Sequence, residues 1–208
     1  MKRLLAFCFL ALPLLSQAQE LGPEQLVKKI TDDVMAAIQS DKELAAGDRQ
    51  KALKLAEEKI LPHVDFEEAA RLATGRSWGQ ASAEQKKRLT DEFRRMLLRT
   101  YSSAVSAYQG QTMKVLPVRM KPGDTEVTVR NHYNRPGAKP VQIDYAMRKT
   151  DGGWKIYDIV VEGVSLVLTY RSEFDAVVKQ EGVDGLIKRL GQKNTPAPAV
   201  GGTSSKSK

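Results

Sequence analysis

The stretch Trp154-Lys155-Ile156-Tyr157-Asp158-Ile159-Val160-Val161-Glu162-Gly163-Val164-Ser165-Leu166-Val167-Leu168-Thr169-Tyr170-Arg171-Ser172-Glu173-Phe174 decides how the rest of the chain is read. It opens as a β-strand. Strict alternation sends Trp154, Ile156 and Val160 to one face and Tyr157, Ile159 and Val161 to the other. The second half of the strand is then apolar on both sides, whereas a strand in a small antiparallel sheet needs only one apolar face. The surplus has to be covered by more protein or by a ligand. Gly163 ends the strand, and the spacing predicts a helix over 164–179 whose face carries Val164, Val167, Leu168 and Phe174.

Upstream of this stretch the period is two. Strands are expected at about 112–120, 125–134, 139–149 and 153–162, separated by the turn residues Pro122-Gly123-Asp124, Pro136-Gly137 and Asp151-Gly152-Gly153. Such short connections make a four-stranded antiparallel meander. On the third strand Val141, Ile143, Tyr145 and Met147 share a face, opposite Gln142, Asp144, Ala146 and Arg148.

Before the sheet the period is helical. Gly22-Pro23 opens a helix with Leu26, Val27, Ile30, Val34, Ala37 and Ile38 on one arc. Asp48 and Asp65 are expected to cap the next two helices, the second stopped by Gly75, with Trp78 in the loop beyond. Ser82-Ala83-Glu84-Gln85 is a capping box that starts the longest helix, reaching about Tyr108. Leu97, Tyr101 and Tyr108 lie in its broad apolar sector, and Lys87, Arg88, Arg94, Arg95 and Arg99 lie opposite. After the sheet a second short helix is expected from an Asp184 cap. Helices, meander and helices again define an α+β domain.

Residues 1–18 read as a secretory signal: Lys2 and Arg3, an apolar run from Leu4 to Leu15, and Ser16-Gln17-Ala18 at the cleavage positions. The run is too short to span a bilayer, which takes about 20 residues. Cys8, the single cysteine, lies within it, so the mature domain at 19–190 has no disulfide and no thiolate chemistry. Taking Lys2 and Arg3 from the 33 basic residues leaves 31 against 25 acidic ones. That modest positive charge suits anionic lipid surfaces or acidic partners, and export argues against nucleic acid. From Gly191 to Lys208 the composition is that of a disordered tail.

The chain offers little for catalysis. His63 and His132 have no second metal ligand at helical or hairpin spacing, and no phosphate loop, nucleophile elbow or zinc-protease helix occurs. An isomerase or hydratase would have to use Asp144 or Asp158 as a general base. Arg171 falls among apolar residues of the last long helix, where it either snorkels from a packed face or meets an anionic group at a pocket rim.

Three blocks carry a resemblance across nearly the whole mature domain: Leu61-Pro62-His63-Val64-Asp65-Phe66 through Gly75 to Trp78; Phe93-Arg94-Arg95-Met96-Leu97-Leu98-Arg99-Thr100-Tyr101 to Tyr108; and Val141 to Tyr145 continuing through Trp154–Leu166 to Tyr170-Arg171 and Phe174. In these the chain resembles the MlaC, or toluene-tolerance, family of periplasmic phospholipid-binding proteins of the Mla (maintenance of lipid asymmetry) system. The resemblance implies a monomeric carrier, partly NTF2-like, with no cofactor and no catalytic residue. Its cargo would be a diacyl phospholipid held in an apolar cavity between sheet and helices. Its partners would be an outer-membrane lipoprotein–porin complex and an inner-membrane ABC transporter with an MCE-domain subunit.

The energetics agree with that implication. About 30 acyl methylenes at about 0.8 kcal/mol each put the cost of free lipid in water on the order of 20 kcal/mol, so a carrier needs an equally apolar interior. The residues expected to supply it are Leu97, Tyr101, Tyr108, Val141, Ile143, Tyr145, Met147, Ile159, Val161, Val164, Val167, Leu168 and Phe174, with Arg171 at the rim. A carrier of another amphiphile and a protein-only adaptor with a filled core are the other binding readings.

Overall fold

The computed structural model describes residues 20–106, 111–134 and 137–194. Tyr108, the 1–18 segment and the tail from 195 lie outside them. Among these residues, six α-helices and five strands follow in the order α1 (Pro23–Ser40), α2 (Lys42–Ala45), α3 (Arg49–Lys59), α4 (Phe66–Thr74), α5 (Ala83–Ser106), β1 (Thr112–Val115), β2 (Glu126–Asn134), β3 (Val141–Thr150), β4 (Gly153–Val161), β5 (Val164–Ser165) and α6 (Arg171–Asn194), with short 3-10 turns between some of them.

The helix starts follow the sequence closely. Pro23 stands in the first turn of α1. The Asp48 carboxylate accepts from Lys51 N–H at 2.9 Å and the Asp65 carboxylate from Glu68 N–H at 2.9 Å. Ser82 and Gln85 close the capping box in both directions, at 2.9 and 3.1 Å. The short α2 was not anticipated; Asp41 caps it through Glu43 and Leu44 N–H. A second short helix does follow the first, as expected: the two meet at Gly182, whose φ of 71° is not helical, and both fall within α6. Asp184, its expected cap, accepts from Gln85 Nε2 at 2.9 Å. α6 continues to Asn194, past the expected end at 190.

The sheet is an antiparallel meander in the order β1-β2-β3-β4-β5, one strand more than expected. Glu162 (φ 48°) and Gly163 (φ 82°) both adopt left-handed backbone. Two such residues in succession make the hairpin turn that matches strand twist. The chain therefore folds back so that Val161 pairs with Val164 and Val160 with Ser165; a 3-10 turn at Leu168–Tyr170 follows, and no α-helix begins until Arg171. β1 stops at Val115 because Pro117 has no N–H to continue the ladder; the next free amide, on Val118, donates to the Glu24 carboxylate of α1 instead.

The alternation expected for β4 is interrupted by a β-bulge. Ala146 pairs with Asp158 and Met147 with Ile156, so Tyr157 is an extra residue opposite β3. One additional residue reverses the parity of everything after it. Ile156, Ile159 and Val161 consequently share one face, opposite Met147, Tyr145 and Ile143. The expected second apolar face of this strand does not exist.

That single face, with α1, forms one core cluster: Leu26, Val27 and Ile30 pack on Val129, Met147, Trp154 and Ile156. A second cluster joins α4, α5 and α6 through Leu89, Phe93, Phe174, Leu186 and Leu190; the Phe93 and Phe174 rings meet edge-on at 5.5 Å. A third, small one holds α1, α2 and α3 through Ile38, Leu44, Ala52 and Leu55. The free edge of β4 is where helices attach to the sheet. Asp65 N–H donates to Ile156 C=O at 2.8 Å, and the buried Glu68 carboxylate takes Arg148 of β3 at 2.7 Å together with Arg71.

Deleting Tyr157 removes the unpaired residue and leaves Ile156 and Ile159 two positions apart, so ordinary alternation keeps Trp154, Ile156, Ile159 and Val161 on the interior face. The deletion variant is therefore expected to keep a cooperative transition in urea, and Tyr157→Phe to stay within about 1 kcal/mol of the parent. A deletion variant with no cooperative transition would show that the bulge does more than set which face each residue takes.

Candidate functional site

The three clusters are distinct, with Val34 of α1 packed against both the sheet cluster and the small one. Between them lies a cavity of about 380 Å³, within the range of ligand pockets. Its sheet wall is the inner face made continuous by the bulge: Ile143 and Tyr145 of β3, Ile156, Ile159 and Val161 of β4, with Tyr133 and Met113 from β2 and β1. Its second wall is α1, through Ile30, Val34 and Ile38; α3 and the turn after it add Ala56, Ile60 and Leu61. The third wall is Phe66 and Ala69 of α4 with Leu97, Leu98 and Tyr101 of α5, closed by Leu166 and Val167.

Asp158 is the one charged residue among those lining the cavity. Its carboxylate is already occupied. One oxygen accepts from Ile159 N–H at 2.8 Å and Val167 N–H at 3.2 Å, and the other from the Ser165 hydroxyl at 2.5 Å. These bonds tie the β5 hairpin and the approach to α6 back onto β4. Burial lifts the Asp158 carboxyl above its ordinary 3.8, and the three donors oppose the shift without cancelling it. Asp144, the other candidate base, is not part of the lining; Gln142 Nε2 donates to it at 2.8 Å. His63, at the turn after α3, is pushed below its usual value by burial and by Lys155, and it too stands outside the cavity.

The phenols follow the same logic. Burial in an apolar wall raises Tyr145 to about 12, with Tyr133 nearby adding to the effect. Tyr101 is likewise pushed up to about 12, by burial first and then by its hydrogen bond with Tyr170. Both are neutral hydroxyls at any physiological pH.

Seven of the expected site residues line this cavity: Leu97, Tyr101, Ile143, Tyr145, Ile159, Val161 and Val167. Met147 and Phe174 are fully buried in the clusters beside it and do not reach it. Val141 lies beyond its end on β3. Val164 and Leu168 are 60% and 41% exposed, because the hairpin replaces the helix that was to turn them inward. Arg171 is exposed at the start of α6, its guanidinium laid against Gly75, where an added Cβ would come within 2.9 Å of it. It is not among the residues that line the cavity. Tyr108 lies outside the described residues. The α1 wall was overlooked: its apolar arc was evident from spacing, but spacing does not say whether a stripe meets protein or empty volume.

Fold and cavity together define an α+β domain built around an apolar interior that its own side chains leave unfilled. The sequence pattern of the MlaC protein family matches residues 28–192. This chain belongs to that family. It is 24% identical, over 87% of its length and 86% of the relative's, to the intermembrane phospholipid transport system binding protein MlaC of Haemophilus influenzae. It is also 24% identical to the toluene tolerance protein ttg2D of Pseudomonas putida, over 88% and 85% of the two chains. Among solved structures it is similar to a phospholipid-binding protein from Ralstonia solanacearum in complex with a phospholipid. There the TM-score is 0.76 and the identity 39%, covering 84% of this chain and 97% of that one.

Asp158 generates a test of how the site is held. Its folded pKa lies above the unfolded one, so the native state binds its proton more tightly than the unfolded chain does. Its stabilising contribution is then full below about pH 4 and is lost as pH rises through the raised pKa. Asp158→Asn keeps an acceptor for both amides and removes the charge, so its unfolding free energy should lack that decline between pH 4 and 7. Asp158→Ala orphans the buried Val167 amide and should cost about 1–3 kcal/mol. Urea titrations across pH check both.

Proposed function

We propose that this protein is a periplasmic phospholipid carrier that encloses acyl chains in the cavity between α1, α5 and the sheet. The observation that supports it best is the lining itself: some two dozen side chains in which the single carboxylate is already satisfied by the protein's own donors. Such a surface gains from hydrocarbon and offers no free charge to an ionic ligand. The Ralstonia relative, solved with a phospholipid, supports the same cargo here.

In this reading the protein is a monomer that exchanges lipid with an outer-membrane lipoprotein–porin complex and an inner-membrane ABC transporter with an MCE-domain subunit, and so maintains outer-membrane lipid asymmetry. The cavity discriminates little among headgroups, because nothing charged in its lining is free to read one. Directionality comes from the partners, since a carrier with equal affinity for both membranes shifts no equilibrium.

Val161 sits on the sheet wall opposite Ile143, and it is half-buried because its remaining surface opens on the cavity. A glutamate there meets water in an emptied cavity instead of packed protein. Val161→Glu should therefore purify folded and free of phospholipid, while the parent protein carries it; native mass spectrometry without detergent and circular dichroism read the two properties. An unfolded variant, or one with parental lipid content, would remove this wall from the binding site.

The basic face of α5 is expected to act on delivery. Arg94 already stacks on the ring of Phe66, a cavity wall residue, at 5.6 Å, so the clean probes are Lys87 and Arg95, which pair with the neighbouring Asp91 and Glu92. Reversing both charges should slow lipid transfer to inner-membrane acceptor complexes several-fold at low salt and little at 0.5 M, where the Debye length falls to a few Å. Bound lipid per protein should not change. A salt-independent rate, or lost lipid, would contradict this role.

A further inference from the structure

Four tyrosines line the cavity: Tyr101, Tyr133, Tyr145 and Tyr157. Tyr101 is hydrogen-bonded to Tyr170, and Tyr157, the bulge residue, lies in the field of Glu126, Glu68 and Arg148. Tyr145 is placed differently. It stands on the central strand with Val129 directly opposite on one side and Ile159 on the other, neither of which has a polar side chain. No described residue hydrogen-bonds its hydroxyl, which still presents surface. On β2, one position diagonal to it, Asn131 is fully buried with Oδ1 lacking any donor, its Nδ2 being given to Val129 C=O at 3.1 Å. A Tyr145–Asn131 bond would satisfy both groups, and the fold does not make it. The hydroxyl opens onto the cavity instead.

Hydrocarbon laid over that hydroxyl would leave a buried donor unmade, which is the costly outcome for a polar group. The cargo should therefore present an acceptor there. A phosphate does not fit, because no cation lines the cavity to offset a buried negative charge. The neutral acceptor that directly adjoins the acyl chains of a phospholipid is the ester carbonyl.

We infer that Tyr145 donates its hydroxyl proton to an acyl-ester carbonyl of the bound lipid and so sets the depth at which hydrocarbon gives way to glycerol. This rests on the carrier reading above and names the group within the cargo that the site recognises. Ester-linked lipid is then favoured over ether-linked lipid of the same chains and headgroup, which lacks the carbonyl. One neutral hydrogen bond corresponds to about a fivefold preference.

The mature protein would be incubated with vesicles containing equal amounts of diester and diether phosphatidylglycerol of matched chains, and the lipid taken up would be resolved by native mass spectrometry. The parent protein and Tyr145→Phe are compared. The parent should favour the diester about fivefold, and Tyr145→Phe should take the two equally. Equal uptake by the parent, or an undiminished preference in Tyr145→Phe, overturns the inference and leaves the carrier reading standing. Uptake of neither lipid by either protein overturns both.

Discussion

A single extra residue in one strand sets what the interior of this domain is. If Tyr157 paired in regular alternation instead of bulging between the partners of Ala146 and Met147, β4 would divide its apolar residues between two faces. With it, Ile156 can serve the packed core under α1 while Ile159 and Val161 extend the same surface toward the cavity. The bulge also increases local twist, at the position where the free edge of β4 passes from Val64 near Ile156 to the β5 hairpin beyond. The attachment of the helices, the hairpin and the sheet wall of the cavity all follow from that one insertion.

The polar groups that hold this arrangement are placed so that they do not interrupt the cavity surface. Glu68 is buried against Arg148 and Arg71, and the two cations hold its carboxyl below the usual range despite burial, with Arg71 the larger influence. That pairing links α4 to the sheet on the far side of the wall. Asp158 does reach the cavity, yet its oxygens are taken by two amides and a hydroxyl. A buried carboxylate left unpaired would require a polar ligand or an elevated proton affinity large enough to neutralise it. Here the donors come from the chain itself, and the remaining surface is free to be apolar.

Packing explains why the volume stays open. Each of the three clusters is closed by residues that leave almost nothing exposed, such as Leu89, Phe93, Val129 and Met147. α1 and α5 both face the volume left beside the sheet. An apolar cavity of this size forgoes contacts that a filled core would make, so any occupant that restores them stabilises the folded state by mass action.

Much of this was legible in the amino-acid order. Side-chain caps at Asp48, Asp65 and Ser82, the change of period from helical to two, and the meander with its inward Ile143 and Tyr145 are local features, fixed by contacts a few residues apart, and blocks of residues carried the family resemblance. The parity of β4 was not legible, because a bulge is decided by which partner residue each strand position meets, and alternation alone cannot show it. Nor was the Glu162-Gly163 hairpin, which turned Val164 and Leu168 outward and left Arg171 on Gly75. The apolar stripe of α1 reads the same whether it faces side chains or empty volume. Periodicity determined which stretches of this chain carry apolar stripes; only the distance between packed layers, a tertiary quantity, decided which part of those stripes is left for something else to cover.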